Sequence, residues 1–369
     1  MNKKVKEEYS DVLKKLNALF GDGVMQSSDT MGYDVVVERA STGSYSLDKA
    51  TGGGLPKNGR STCIIGPESS SKSTISLSAI ANEHKKGNLC CLFDIEGSYD
   101  ENYSKTVGVI PNLLHMPDHK KLLKSLGIKE SDRTVVAAEE WFDLLIKTIN
   151  SNIYSLVVLD SVTALQPMIE IQNGVANAKI GSIATPMTKA YRGIANALKN
   201  CDGGFVYITQ YRMSPGKYGD PRIESGAEAW KYLQDLKIAL QPSLDKEDGE
   251  IPGIVVKGKV SKSKVCIPHK TFEYYIEFGK GIIRSYELIK EAISAEVITK
   301  TGNTYFFLGE KIGVGEKQLN NFFETNLEEL EKLEIELNKL KIETIIDEET
   351  EKSLDAIEEL LEKEELETE

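Results

Sequence analysis

The sequence predicts an α/β fold built on a mainly parallel, twisted sheet. Three observations carry that prediction. Short apolar runs of strand length alternate with helix-length segments between residues 61 and 242. A Gly/Ser-rich turn ending in Lys72-Ser73-Thr74 joins the first of those strands to the first helix. Two later runs, LFDIE at 92–96 and VVLD at 157–160, end in carboxylates, as strands do when they deliver acidic side chains to one edge of a sheet.

The elements follow in order. Residues 3–20 place Val5, Tyr9, Val12, Leu13, Leu16, Leu19 and Phe20 at helical spacing, and Gly21-Asp22-Gly23 stops the helix. The apolar stretch Val35-Val36-Val37 and the Gly-rich turn 51–56 come next. Strands are expected at 61–65, 89–95, 154–159, 204–209 and 235–240, with helices at 72–86, 139–150 and 185–200 between the first four. Residues 253–266 and 271–278 read as further strands, and 283–326 as a small α+β module. The polar segment 110–138 has no clear period and reads as an insertion. In the tail, Leu330, Leu333, Leu337 and Leu340 recur at helical spacing, as do Leu354, Ile357 and Leu361. Such a tail is either a solvated acidic helix or one that docks on the body or a partner.

The formal net charge of -12 first argues against a polyanionic partner. Its distribution reverses that. Residues 327–369 hold 18 of the 57 acidic residues and 5 of the 45 basic ones, so the tail carries −13 and residues 1–326 carry +1. No apolar run approaches membrane-span length, no secretory signal is visible at the N-terminus, and no membrane association is expected. Cys63, Cys90, Cys91, Cys201 and Cys266 lack metal-ligand spacing, which predicts reduced thiols and a cytoplasmic setting.

The run Gly66-Pro67-Glu68-Ser69-Ser70-Ser71-Lys72-Ser73-Thr74 has the strand-to-helix context of a phosphate-binding loop. Backbone N–H groups wrap the phosphates, the lysine reaches the β/γ oxygens, and a Ser or Thr hydroxyl ligates Mg²⁺. Ser71 stands where that pattern has its second glycine, a position that favours positive φ and close phosphate approach. Strain or weakened binding is expected there. Asp160 is placed to hold Mg²⁺ through water, and Glu96 to orient or deprotonate an attacking water. These three segments would converge where their strands terminate, the usual ligand edge of an open α/β sheet.

Several further runs resemble one family, the RecA recombinases. They are STGSYSLD at 41–48, GGLP at 53–56, GPESS at 66–70, DSVTAL at 160–165, TQYRM at 209–213 and GEKIG at 309–313. The likeness runs in order through 1–326. It implies a RecA-like P-loop ATPase core at 34–268, preceded by a polymerisation segment at 1–33 and followed by a small α+β C-terminal domain at 269–326 and an acidic helical tail at 327–369. It implies ATP and Mg²⁺ as cofactors, with Lys72 and Ser73 on the phosphates and metal, Asp100 and Tyr103 on the adenine, and Gln210 sensing the γ-phosphate. Lys262 and Lys264 would reach the ATP of a neighbouring subunit. Without the resemblance they would read as solubilising charges on an edge strand.

The resemblance also implies DNA-binding loops at about 166–184 and 211–228. Candidate contacts are Arg192, Arg212, Met213, Lys217, Tyr218, Arg222 and Gly226, a mix suited to backbone grip and base stacking. The implied activity is ATP-dependent filament formation on single-stranded DNA, homologous pairing with duplex DNA and strand exchange. Single-strand-binding and loader proteins are further candidate partners. Rival readings are a slow-hydrolysing ATP- and DNA-binding accessory protein, and a P-loop motor without strand exchange. Ser71, the long 110–138 segment and the divergent loops point to a divergent, virus-encoded member, which would act in a bacterial host's cytoplasm.

Overall fold

The computed structural model describes residues 12, 14–21, 24–26, 37–129, 131–173, 182–213, 222–225, 228–244 and 252–340. Met1–Glu38 and Arg39–Glu369 form separate units. In the first, residues 14–20 form α1, and Leu19 and Phe20 on it are exposed. Asn17 closes the following turn by accepting from Met25 N at 2.7 Å and donating to Met25 O at 3.0 Å. Val5, Tyr9, Leu13 and the expected strand residues Val35 and Val36 lie outside the described residues.

The second unit opens with β1 (Arg39–Ala40), α2 (Tyr45–Thr51) and β2 (Leu55–Pro56). Then come β3 (Ser61–Ile65), α3 (Lys72–Lys85), β4 (Cys90–Asp94) and α4 (Glu101–Val107). The segment expected as an insertion supplies β5 (Leu114–His115) and α5 (His119–Ser125). The chain continues through α6 (Ala138–Asn150), β6 (Leu156–Asp160), α7 (Met168–Asn173), α8 (Ala184–Leu198) and β7 (Gly204–Thr209). A hairpin of β8 (Tyr211–Met213) and β9 (Arg222–Glu224) precedes α9 (Trp230–Leu233), β10 (Leu236–Leu244), β11 (Gly253–Ser263), β12 (Thr271–Glu277) and β13 (Gly281–Ile282).

One 9-stranded sheet runs in the order β13-β12-β11-β10-β3-β7-β6-β4-β5. From β10 to β5 every neighbouring pair is parallel, and β11 to β13 add antiparallel strands at one side. Burial on both faces explains the near-continuous apolar runs in the inner strands. Along β6, Leu156 and Val158 enter one core, while Val157 and Leu159 enter the other. Ile75 and Ile80 of α3 fill the first core, and Trp141, Phe142, Leu145 and Ile149 of α6 fill the second. Among the described residues no helix is long and apolar enough to cross a membrane, and all five cysteines are free thiols.

One implied boundary moves, and one open alternative is settled. The sheet continues past the boundary placed at residue 268, because β12 pairs with β11 along Gly253–Lys259. The α+β module therefore starts after Ile282, with α10 (Arg284–Ser294), the three-stranded sheet β14 (Ile298–Thr301), β15 (Thr304–Phe307) and β16 (Glu310–Val314), and α11 (Glu316–Thr325). Residues 327–340 are helical too (α12), and Leu333 and Leu337 are buried with Tyr45, Leu288, Phe307 and Phe323. This first part of the acidic tail is thus a packed element. The rest, with Leu354, Ile357 and Leu361, lies outside the described residues.

Candidate functional site

The loop Gly66–Ser71 links the C-terminal end of β3 to α3. Its tight path rests on Gly66, where a side chain would collide with Ser70 Oγ. Ser69 and Ser71 take left-handed conformations, with φ of 55° and 67°. Ser71 therefore adopts the backbone that a glycine would favour, at a cost of about 1 kcal/mol. Its hydroxyl meets Tyr274 Oη at 2.8 Å. Lys72 is buried, and its Nζ donates to Pro67 O at 2.5 Å and Ser70 Oγ at 3.3 Å. Burial lowers the Lys72 pKa, and Asp160, Glu96 and Glu68 oppose that shift.

The expected carboxylates meet this loop. Ser73 Oγ donates to Asp160 Oδ2 at 2.5 Å. Burial pushes the Asp160 carboxyl up to about 6, assisted by Glu96 and Asp94 and opposed by the Ser73 hydrogen bond and Lys72. Glu96 accepts from the Ser161 hydroxyl. Glu68, Ser69, Ser70, Ser71, Lys72, Ser73, Thr74, Glu96, Asp160 and Gln210 line one cavity of about 290 Å³. Pro67 lies in the same turn. No cluster of three or more metal-ligating side chains occurs among the described residues. Mg²⁺ does not need one, since it is usually held by one or two carboxylates plus substrate phosphates. The Ser73–Asp160 pair fits that donor set, and a divalent cation there would favour the ionised carboxylate.

A second cavity of about 240 Å³ shares Ser73 and Asp160 and extends to Tyr99, Asp100 and Tyr103. Tyr103 Oη lies 3.1 Å from Thr74 Oγ1, tying α4 to α3. Asp100 caps α4, its Oδ1 accepting from Asn102 N at 2.8 Å and Tyr103 N at 3.1 Å. The carboxylate thus fixes the first turn of α4 at the edge of this cavity.

Gln210 follows β7 at the cavity wall, and its carbonyl accepts Ser225 N at 2.9 Å. Thr209 Oγ1 donates to Ser225 O at 3.0 Å. The pocket wall and the base of the β8–β9 hairpin are thus one hydrogen-bonded unit. Arg212, opposite Ile223 in that hairpin, is exposed, as is Arg192 on α8. Met213 and Arg222 are paired in the hairpin backbone. Lys217, Tyr218 and Gly226 lie outside the described residues. Lys262 and Lys264 do not line the cavity. Lys262 Nζ donates to Lys231 O, and Lys264 Nζ donates to Tyr232 O at 3.2 Å and Asp235 Oδ1 at 3.0 Å.

Three contributors escaped sequence reasoning. Asp94 accepts from Gly97 N, Ser98 N and Tyr99 N at 3.0–3.1 Å, shaping the turn that presents Glu96. Its place at the end of an apolar strand, followed by Gly97-Ser98, was the available signal. Ser161 holds Glu96, and Tyr274 holds Ser71. Tyr274 is distant in sequence and carries no local signal.

Residues 7–283 match the RecA N-terminal domain family. Protein RecA of Mesoplasma florum is 34% identical over 321 residues, covering 86% of this chain and 90% of that protein. Protein RecA of Aquifex pyrophilus is 33% identical over 343 residues, 90% and 93% of the two chains. Protein RecA of Thermotoga neapolitana is 32% identical over 340 residues, 90% and 92% of the two. With that match spanning both the phosphate loop and the carboxylate strands described above, the chain belongs to the RecA family.

Proposed function

We propose that this protein binds ATP and DNA in recombination, with nucleotide at the β3–α3 loop governing the grip on DNA. The observation that carries this reading is the position of Gln210, which walls the phosphate cavity while its carbonyl anchors the candidate DNA hairpin through Ser225. Phosphate contacts at the cavity would reach that hairpin through two backbone-linked residues. Loop amides and Lys72 would hold the phosphates, Ser73 and Asp160 would hold Mg²⁺, and bound Mg²⁺ would supply charge neutralisation. Glu96, oriented by Ser161, would accept the proton of the attacking water. Tyr103 beside Thr74 offers a face for the adenine.

The finer reading is polymerisation on single-stranded DNA followed by pairing with duplex DNA and strand exchange. Exposed Leu19 and Phe20 on α1 support it, as apolar groups available to a neighbouring subunit. Lys262 would then exchange its carbonyl partner, and Lys264 its carbonyl and Asp235 partners, for the neighbour's phosphates. A second reading is favoured by Ser71: a slow-hydrolysing accessory protein that binds ATP and DNA. ATP turnover with and without single-stranded DNA separates the readings, together with filament imaging in a non-hydrolysable analogue. DNA-stimulated turnover supports the recombinase. Filaments without turnover support the accessory reading. DNA-independent turnover without filaments overturns both in favour of a motor with another client.

A further inference from the structure

We infer that the cleft beside α5 is an auxiliary binding site for a nucleic-acid backbone, contiguous with the candidate DNA loop that starts at residue 166. The inference rests on the DNA-binding reading above and adds a site to it.

The cleft has a volume of about 560 Å³ and is bounded by His119, Lys120, Lys121, Lys124 and Lys129 over a floor of Leu123 and Ile128. No carboxylate lines it among the described residues. Leu123 is buried in the second core, with Leu122 and Ile128 packed against it, so the lysines stand on an anchored scaffold. Asp118 caps α5, accepting from Lys120 N at 2.9 Å and Lys121 N at 3.1 Å, and it pairs with Lys121 Nζ at 3.7 Å. Lysine ammonium groups act as point charges, suited to phosphate without base selection.

Position selects the ligand. Thr134 closes the cleft, and its neighbour Arg133 donates to Met168 Sδ at 3.3 Å while pairing with Glu140 at 2.5 Å. Ala138 N donates to Gln166 O at 2.8 Å, and Glu139 accepts Met168 N at 3.0 Å. The segment that forms the cleft is therefore bonded to the first residues of the 166–184 loop. A strand held by that loop has a neighbouring basic surface to run onto. The competing occupant is the chain's own acidic segment 341–369.

The test is a variant with Lys120, Lys121, Lys124 and Lys129 changed to Ala, compared with wild type and with a control carrying Lys85, Lys105, Lys147 and Lys199→Ala. Full-length proteins with ATP analogue are titrated against a labelled single-stranded oligonucleotide across a salt series. Each lost phosphate contact lowers the slope of log affinity against log salt by about 0.7. The expected result is a slope reduced by about 3 for four lost contacts and affinity reduced at least about a hundredfold at low salt, with the control near wild type. Equal losses in both variants, or no loss in either, would overturn the site. Tighter DNA binding by the cleft variant would also overturn it, assigning the cleft to segment 341–369. If wild type itself fails to bind DNA while binding ATP, the DNA-binding reading fails, and this site with it.

Discussion

Ser71 and Tyr274 make the sharpest test of the phosphate loop. Ser71 sits at φ 67° with its hydroxyl 2.8 Å from Tyr274 Oη, and Tyr274 is fully buried. Changing Ser71 to Gly relieves about 1 kcal/mol of backbone strain but leaves a buried phenol hydroxyl unpartnered, costing about 1–3 kcal/mol. The net effect is a loss of about 1 kcal/mol. Tyr274→Phe keeps the strain and removes the hydrogen bond, again costing about 1 kcal/mol. The double variant has neither strain nor an orphaned hydroxyl, so its stability should lie close to wild type. The singles therefore should not add, and the coupling should be about 2 kcal/mol. Denaturant melts of the four proteins measure it, alongside ATP turnover. A loop freed to make closer phosphate contact should turn over faster in the double variant than in wild type. Strictly additive stabilities, or unchanged turnover in both glycine variants, would refute the idea that this serine limits the loop and that the tyrosine secures it.

Other consequences can be measured with the same protein. Lys72→Ala should abolish nucleotide-dependent DNA binding in an anisotropy assay, and retention of that dependence would remove Lys72 from the site. Glu96→Gln should retain ATP binding while cutting turnover at least about 100-fold, as single-turnover assays would reveal. Glu287 is buried, and burial raises its carboxyl from the usual 4.5 to about 7 against hydrogen bonds from Ser44 and Ser46. The folded state then binds more protons between those values, so stability should fall as pH rises through that window, by at most about 3 kcal/mol. Glu287→Gln should flatten the dependence in denaturant melts taken from acid to neutral pH. Ending the chain after Leu340 should leave the melting temperature unchanged and strengthen duplex binding. Ending it after Asn326 removes buried Leu333 and Leu337 and should destabilise the C-terminal module by several kcal/mol.

The α/β class, the strand-to-helix phosphate loop, the two carboxylate strands and the separation of an acidic tail from a nearly neutral body are legible in the residues alone. Those features are local: an apolar run of five residues, a glycine before a serine-rich turn, or an acid at a strand end announces itself within a few positions. Tertiary structure decided what required distant partners. Only the pairing of β11 with β12 carries the main sheet past residue 268. Only the packing of Leu333 and Leu337 against Phe323 and Leu288 separates a docked helix from a solvated one, since helical spacing of leucines is common to both. The segment 110–138 hid its order because β5 is two residues long and α5 is seven, too short for periodicity to register. Tyr274 sits 203 residues from Ser71, and the hydrogen bond between them exists because the fold closes that distance.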